Sequence, residues 1–502
     1  MSEFHPARNP SHTKVPSCRE LSFKYPDYPG LKAEQLFDLL DFTPEVGRIN
    51  LIVGGADMGK TTLARILMGL IPLFTGGTLG GELLWGGQKV DKIPRDEMMR
   101  CGGLIFQDPE EQLISPSCEQ EVAFGLESLG VPEEIMRARV GKALSWAGLS
   151  GAEDRKPASL SGGEQKRLLT AALMAIDPHV WILDEIFEEL DESFREKLLN
   201  YLADHKKCAI IFASKYLDIY SRYDPVITII ENRKLKPVDI QSAGALLSKK
   251  GFTFLPEDWT RRPPGSPSKG SAFPSAPRYP GEELLLDLRD IKFSYPGGGF
   301  NLDITRLALS RGETIAFIGD NGSGKSTLAR IICGLLSPSA GQILQGDPDK
   351  SNLEANKKAC TAENLRKTCG YLFQNPDYQL FLPSITEELL YGYKGKKRKS
   401  MNARTEEVMG LFNLPSGEAP PSLLGYGTRR KLQGAVAYLQ ERSILILDEG
   451  DSGLNYSDFL KMVALLKTPE RCLILISHQQ AAVKGISDRV FKFNRGRVEE
   501  AP

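Results

Sequence analysis

The sequence predicts an α/β protein in which one domain, built around a mostly parallel sheet, occurs twice in succession. Three observations carry this reading. The same ordered signals appear twice: an aromatic-rich opening, a glycine loop with Lys, Phe-Gln-(Asp/Asn)-Pro, a glycine-containing turn before a basic helix, and an apolar strand ending in Asp-Glu. Lys60 matches Lys325, Gln107 matches Gln374 and Asp184 matches Asp448, with hardly any drift in spacing. Solenoid repeats recur every 20 to 50 residues or so, so this is duplication of a whole domain. Within each copy, short β-rich apolar runs alternate with helical patterns, the order expected of a parallel α/β core. In both copies a glycine loop joins a strand-like run to a helix.

A chain of 502 residues is too long for one ordinary core and accommodates two large domains. Residues 1–19 read as a loose tail, since the stretch is polar, carries Pro6, Pro10 and Pro16, and lacks the apolar segment of a secretory signal. The two domains are expected at 20–236 and 285–500, with a linker at 237–284. Within it, Pro263 to Gly281 reads PPGSPSKGSAFPSAPRYPG, a composition that buries too little apolar surface to offset the entropy of ordering. With 63 Lys and Arg against 64 Asp and Glu, no excess charge drives binding to nucleic acid or anionic lipid, although a local basic patch fits the same balance. The eight cysteines are scattered without C-x-x-C spacing and read as reduced thiols. Apolar runs such as Cys208 to Ala213 and Ile444 to Leu447 are strand length, far short of the roughly 20 residues of a membrane-spanning helix.

The glycine loops are the first chemistry-bearing elements. In the second copy, a strand-like run from Thr314 to Ile318 leads into Gly319-Asp320-Asn321-Gly322-Ser323-Gly324-Lys325-Ser326-Thr327 and a helical pattern from Leu328 to Leu336. The glycines let backbone N–H groups curl around phosphates, the helix start adds its positive dipole end, and Lys325 reaches the terminal phosphates. Ser326 stands where Mg2+ is bound. The first copy has Gly54-Gly55-Ala56-Asp57-Met58-Gly59-Lys60-Thr61-Thr62 after the strand Ile49 to Val53, so ATP is expected there too. Asp57 occupies the place of Gly322. It sets a carboxylate near a polyanion and a side chain where glycine freely takes positive φ, which predicts a weaker or differently shaped site.

Phosphate loops occur in kinases and GTPases as well, but Leu160-Ser161-Gly162-Gly163-Glu164-Gln165-Lys166-Arg167 is more specific. It resembles the signature of the ABC ATPases, and the resemblance covers about residues 20 to 236 and 285 to 500. It implies two tandem ABC-type P-loop NTPase domains, each with a helical subdomain and an antiparallel β subdomain beside the sheet core, joined head to tail around two ATP molecules. Ser161, Gly162 and Gly163, at a helix start, present donors to the γ-phosphate held by the other domain. The family's acidic pair follows in both copies, Asp184-Glu185 and Asp448-Glu449. By the resemblance Asp184 and Asp448 hold Mg2+ through water, Glu185 and Glu449 polarise the attacking water, and Gln107 and Gln374 touch both Mg2+ and the membrane partner. Tyr25 and Tyr295 resemble the aromatic that stacks on adenine, although strand aromatics serve equally well in a core.

Since each ATP is expected to meet the phosphate loop of one domain and the signature of the other, the two sites are unequal. One uses Lys325, Ser326, Gln374, Asp448, Glu449 and His478, the last matching the family's switch histidine, with the intact Ser161, Gly162 and Gly163. The other pairs Lys60, Thr61, Gln107, Asp184 and Glu185 with Leu424-Gly425-Tyr426-Gly427-Thr428, which has lost the signature serine. Lys215 stands at its histidine position, a fixed cation with donors and no acceptor. Hydrolysis is therefore expected on the second phosphate loop, with slow turnover on the first.

Phe106 to Gly125 and Phe373 to Gly392 resemble ATPase subunits of energy-coupling-factor and cobalt-type importers, which take up vitamins or transition-metal ions. That implies transmembrane partner subunits gripped near Gln107 and Gln374, a cytoplasmic location on the inner face of the membrane through the partner alone, and no nucleic acid. The alternative is a soluble tandem ABC ATPase acting on the ribosome or nucleic acid. Its linker is expected to be long, charged and helical, and the Pro-rich stretch here is not.

Overall fold

The computed structural model describes residues 14–28, 30, 32–55, 57–188, 190–214, 217–249, 284–295, 300–320, 322–345, 358–477, 483 and 485–501. The chain falls into two compact units, one built on residues 1–27 with 32–253, the other on 28–31 with 254–502.

In the first unit the core sheet runs Lys234–Pro237, Val226–Glu231, Ile49–Val53, Cys208–Ala213, Val180–Asp184, Gly102–Ile105. Only the first pair is antiparallel. Every residue of Ile49–Val53, Val180–Asp184 and Cys208–Ala213 is buried, the reason these runs are continuously apolar: a parallel sheet is covered on both faces. Leu51 and Val53 face the helices Cys118–Ser128, Glu133–Trp146 and Gly162–Ile176, whereas Ile52 faces a second, antiparallel sheet ordered Gln35–Phe42, Pro16–Lys24, Thr78–Trp85, Gln88–Lys89.

The second unit repeats this plan. Its parallel strands Arg489–Asn494, Thr314–Gly319, Cys472–Ile476, Ile444–Asp448 and Cys369–Leu372 lie in that order. Here the antiparallel strands join the same sheet through the pairing of Asp303 with Arg497, giving ten strands in all. Both units therefore have the expected α/β class, a mostly parallel core flanked by helices and an antiparallel layer.

Two stretches differ from their reading as tail and linker. The first strand starts at Pro16 and buries Cys18. Helix Ile240–Lys249 sets Ala243 and Leu247 into the core of the first unit, because Ile240, Ala243, Leu246 and Leu247 follow the helical period. The Pro263 to Gly281 segment lies outside the described residues.

Candidate functional site

Each phosphate loop leaves the C-terminal end of a central strand, where open α/β sheets bind ligands. Ile49–Val53 lies between Cys208–Ala213 and Val226–Glu231, and Thr314–Gly319 between Cys472–Ile476 and Arg489–Asn494. The loops end in helices Lys60–Leu67 and Lys325–Ile332. Immediately before them, Gly59 and Gly324 have φ of 91° and 108°. A Cβ there meets Phe37 at 2.8 Å or Phe300 at 2.7 Å, so backbone and space both demand glycine. Lys60 and Lys325 are buried beneath their loops. Lys60 Nζ donates to the carbonyl oxygens of Gly54 and Gly55, and Lys325 Nζ lies 2.8 Å from those of Gly319 and Asp320. Ala56 and Asn321 lie outside the described residues. Asp57 has φ of 58° where Gly322 has 72°. A Cβ added at Gly322 meets nothing within 4 Å, so conformation and charge separate the two loops, and space does not.

The acidic pairs end the neighbouring strands. Glu185 and Glu449 both take left-handed backbone, φ 50° and 49°, which is strain at a position expected to act on water. Their N–H groups donate to Phe212 O at 3.1 Å and Ile476 O at 2.9 Å. Gln107 Nε2 donates to Glu185 Oε2 at 2.9 Å, and Gln374 Nε2 to Glu449 Oε2 at 2.6 Å. In each unit, then, the structure brings together the loop lysine, the Asp-Glu pair and the Phe-Gln glutamine.

The surroundings of the two aspartates differ. Asp448 accepts from Ser326 Oγ at 3.0 Å and from the Tyr371 hydroxyl. In the first unit Leu104 stands in place of Tyr371. Neither oxygen of Asp184 has a hydrogen bond of ordinary geometry among the described residues. Burial first, and then the charge of Glu185, push its carboxyl up to about 7, against smaller downward pulls from Thr61, Lys60 and Arg65. Lys60 forms a buried ion pair with Glu185 at 3.1 Å. Lys325 is held below the usual lysine range by burial, opposed by Glu449, Asp448 and Asp320.

The signature positions differ as well. Ser161 caps helix Gly162–Ile176 in a reciprocal box with Glu164, its hydroxyl donating to Glu164 Oε2 at 2.8 Å. Gly425 gives helix Tyr426–Gln440 no side-chain cap. Tyr426 instead donates its hydroxyl to Gln374 O at 2.8 Å. Tyr25 and Tyr295 reach the loop helices through Thr62 at 2.9 Å and Thr327 at 3.2 Å, and each also packs edge-on against a core phenylalanine, Phe23 or Phe293. Lys215 and His478 lie outside the described residues.

Two residues were missed by sequence reasoning. Tyr371 gave no signal beyond being an aromatic in a strand. Arg430 belongs to the basic helix already noted, but nothing in the sequence marked it as buried, with its guanidinium donating to the carbonyls of Phe373, Asp448 and Glu449.

These residues fit Mg2+ and a polyphosphate. A buried aspartate lacking ordinary hydrogen bonds beside a loop threonine in one unit, and a Ser–Asp pair in the other, are the few hard oxygen ligands that Mg2+ takes from protein when phosphates and water supply the rest. Among the described residues no group of three or more His, Cys, Asp or Glu forms a metal cage.

Comparison with known proteins agrees with this arrangement. The family described as ABC transporter matches residues 37–188 and 302–452. A protein of Methanosarcina mazei, provisionally named an ABC transporter ATP-binding protein, is 30% identical over 90% of this chain and 84% of its own. YkoD of Bacillus subtilis, provisionally named an HMP/thiamine import ATP-binding protein, is 26% identical over 94% of this chain and 89% of its own. Among solved structures, one of ribosome-bound archaeal Pelota and ABCE1 aligns with 99% of this chain and 79% of its own at a TM-score of 0.60 and 19% identity, a likeness of fold alone. With the family matched once in each half and a phosphate loop and acidic pair assembled in each, the chain belongs to the ABC transporter family, as an ATP-binding protein and ATPase with two tandem domains that works with ATP and Mg2+.

Proposed function

We propose that the chain is the energy-coupling ATPase of a membrane importer of the energy-coupling-factor type, moving a vitamin or a metal ion. The first domain, from the strand at Pro16 through helix Ile240–Lys249, and the second, from the strand at Leu284, each carry one ATP, and the signature of each completes the site of the other. Turnover belongs to the Lys325 loop. There Glu449 draws a proton from the attacking water, Gln374 holds that water and Glu449 in line, and Lys325 with the loop N–H groups balances charge on the phosphates. Ser326 and Asp448 hold Mg2+, which neutralises charge on the transferred group. His478 and the donors of Ser161, Gly162 and Gly163 serve the same nucleotide. Lys60, Thr61, Gln107, Asp184, Glu185 and Lys215, with Gly425 and Gly427, hold a second ATP that turns over slowly. Tyr25 and Tyr295 stack on the adenines.

One observation carries the transport reading. After Gln107 the chain exposes Ile114 and Phe124, 68% and 48%, and after Gln374 it exposes Phe381 and Tyr391, 64% and 53%. The two pairs stand at matching places along the two copies. Each loop is braced from beneath by a buried glutamate. Glu121 accepts from the N–H groups of Ile114 and Ser115 at 3.0 and 2.7 Å, and Glu388 accepts from those of Phe381 and Leu382. Large apolar side chains on a braced loop and on the helical segment that follows it, repeated on both halves, suit a pair of partner helices. The chain sits on the inner face of the membrane through that partner; among the described residues no helix is long and apolar enough to cross a membrane. The name of YkoD supports import as the direction.

The test is recovery of the tagged full-length chain from detergent-solubilised cells. A multi-span membrane protein that accompanies the wild type and is lost from an Ile114→Asp, Phe381→Asp double variant supports the proposal. Recovery with ribosomes and without a membrane protein replaces it with the soluble alternative.

A further inference from the structure

We propose that Tyr426 is a positioning residue for hydrolysis in its own half: it fixes the Gln374 loop, and through it Glu449. The inference rests on the reading that the Lys325 loop carries turnover. Tyr426 stands where the first copy has Gly162 of the signature. Judged against the family pattern alone, it is a lost glycine. The structure gives the ring and the hydroxyl specific places.

The hydroxyl donates to the backbone carbonyl of Gln374 at 2.8 Å, and the side-chain amide of the same residue donates to Glu449 Oε2 at 2.6 Å. One residue thus receives a bond on its backbone from the signature helix and passes one from its side chain to the carboxylate expected to act on water. The ring lies against Gly453, in the loop after the acidic pair. Gly453 has φ of 68°, and a Cβ there meets Tyr426 Cδ1 at 2.1 Å, so only glycine leaves room for the ring. The first copy has the opposite arrangement, Gly162 with Glu189.

Arg430 continues the same connection one turn along the helix. Buried to 1% exposure, it donates to the carbonyls of Phe373, Asp448 and Glu449 and to Gln433 Oε1 at 2.9 Å, while Gln433 Nε2 reaches Phe373 O at 3.2 Å. On the other side of Gln374, Arg429 pairs with Asp377 at 3.0 Å. Helix Tyr426–Gln440 therefore holds the loop before, at and after Gln374. Tyr426 supplies the hold at Gln374 itself, with a neutral hydrogen bond whose loss costs a few-fold in any equilibrium it supports.

The test is a double-mutant cycle on ATP turnover of the full chain, using Tyr426→Phe, which keeps the ring on Gly453, together with Gln374→Ala. Tyr426→Phe is expected to lower kcat by about threefold to tenfold, with KM for ATP unchanged and Tm lowered by no more than the few degrees that one neutral hydrogen bond supports. In the Gln374→Ala background the same change is expected to cost nothing further, because its effect passes through the side chain already removed. Additive losses, an unchanged kcat, or a fall in Tm beyond those few degrees overturns the proposal. Glu449→Gln is run alongside. If it leaves turnover intact, the hydrolytic-site reading fails and this inference with it; if it abolishes turnover while the cycle is additive, only the inference fails.

Discussion

The two halves share a fold and a set of residues, yet their acidic pairs are held differently. In the C-terminal half Asp448 is bonded by Ser326 and Tyr371, and Glu449 is held by Gln374, whose backbone is bonded by Tyr426. In the N-terminal half Gln107 bonds Glu185 as Gln374 bonds Glu449, and Glu185 is also ion-paired to the loop lysine, Lys60, but Asp184 is buried without an ordinary hydrogen bond among the described residues. A carboxylate bonded in place is ready to act. An aspartate buried without such bonds is costly to ionise, and it has to be ionised to take Mg2+. This difference lies wholly within each unit, independent of the signature residues. It points the same way as they do, toward turnover in the C-terminal half.

The strongest way to break the comparison is to remove each glutamate in turn. Glu449→Gln is expected to lower steady-state ATP turnover by about 100-fold or more, the loss usual for a group that moves a proton in the transition state, whereas Glu185→Gln stays within about threefold of wild type. Single-turnover and steady-state phosphate release on the purified full chain measure both. If Glu185→Gln removes most of the turnover and Glu449→Gln does not, the assignment is reversed.

A smaller effect is expected from pH in protein free of metal and nucleotide. The Asp184 carboxyl sits at about 7 in the fold and near 3.9 in an unfolded chain, so between those values the folded state binds the extra proton. Stability then falls as pH rises from about 4 to 7, and the full penalty of the buried charge is present above 7. Asp184→Asn removes the penalty. Its Tm is expected to exceed wild type by several degrees at pH 8 in EDTA and to match it near pH 4.5. A variant without gain at pH 8 shows that the Asp184 charge is compensated in solution. The same substitution at Asp448, which has hydrogen-bond donors from Ser326 and Tyr371, is expected to bring no such gain.

How much of this was legible in the sequence depended on the range of the cause. The core strands were legible because burial on both faces leaves runs such as Ile444–Asp448 nearly unbroken in apolar residues. The phosphate loops were legible because Gly59 and Gly324 need positive φ and have no room for a Cβ, so few sequences satisfy the turn. Helix Ile240–Lys249 was not, since its apolar positions lie among Ser, Gly and Ala just ahead of a Pro-rich stretch. The bond between Tyr371 and Asp448 spans 77 residues of sequence, and no local spacing reveals it. Arg430 was visible as one more basic residue on a helix. Its burial, which decides what it does, comes from the strand and loop that fold onto it.

The smallest difference between the halves is the one the sequence stated most plainly. Asp57 adopts φ of 58° in its loop, and Gly322 adopts 72° in the other. Left-handed backbone costs a non-glycine residue about 1 to 2 kcal/mol, less for Asp than for most. The Asp57 carboxylate also adds a negative charge beside the phosphates. Asp57→Gly removes both terms. It is expected to tighten ATP at the Lys60 loop by about threefold to tenfold, and Gly322→Asp to weaken the Lys325 loop by a similar factor. Both are measured by nucleotide titration in the Glu449→Gln background, where hydrolysis does not deplete the ligand. Relief of the backbone strain stabilises the folded loop with or without ATP and is read in Tm, whereas titration in low and high salt reads the electrostatic part, which screening shrinks. If Asp57→Gly leaves Tm unchanged, and ATP affinity unchanged at both salt concentrations, the loop tolerates aspartate without cost, and the inequality of the two halves rests on the acidic pairs and signature helices alone.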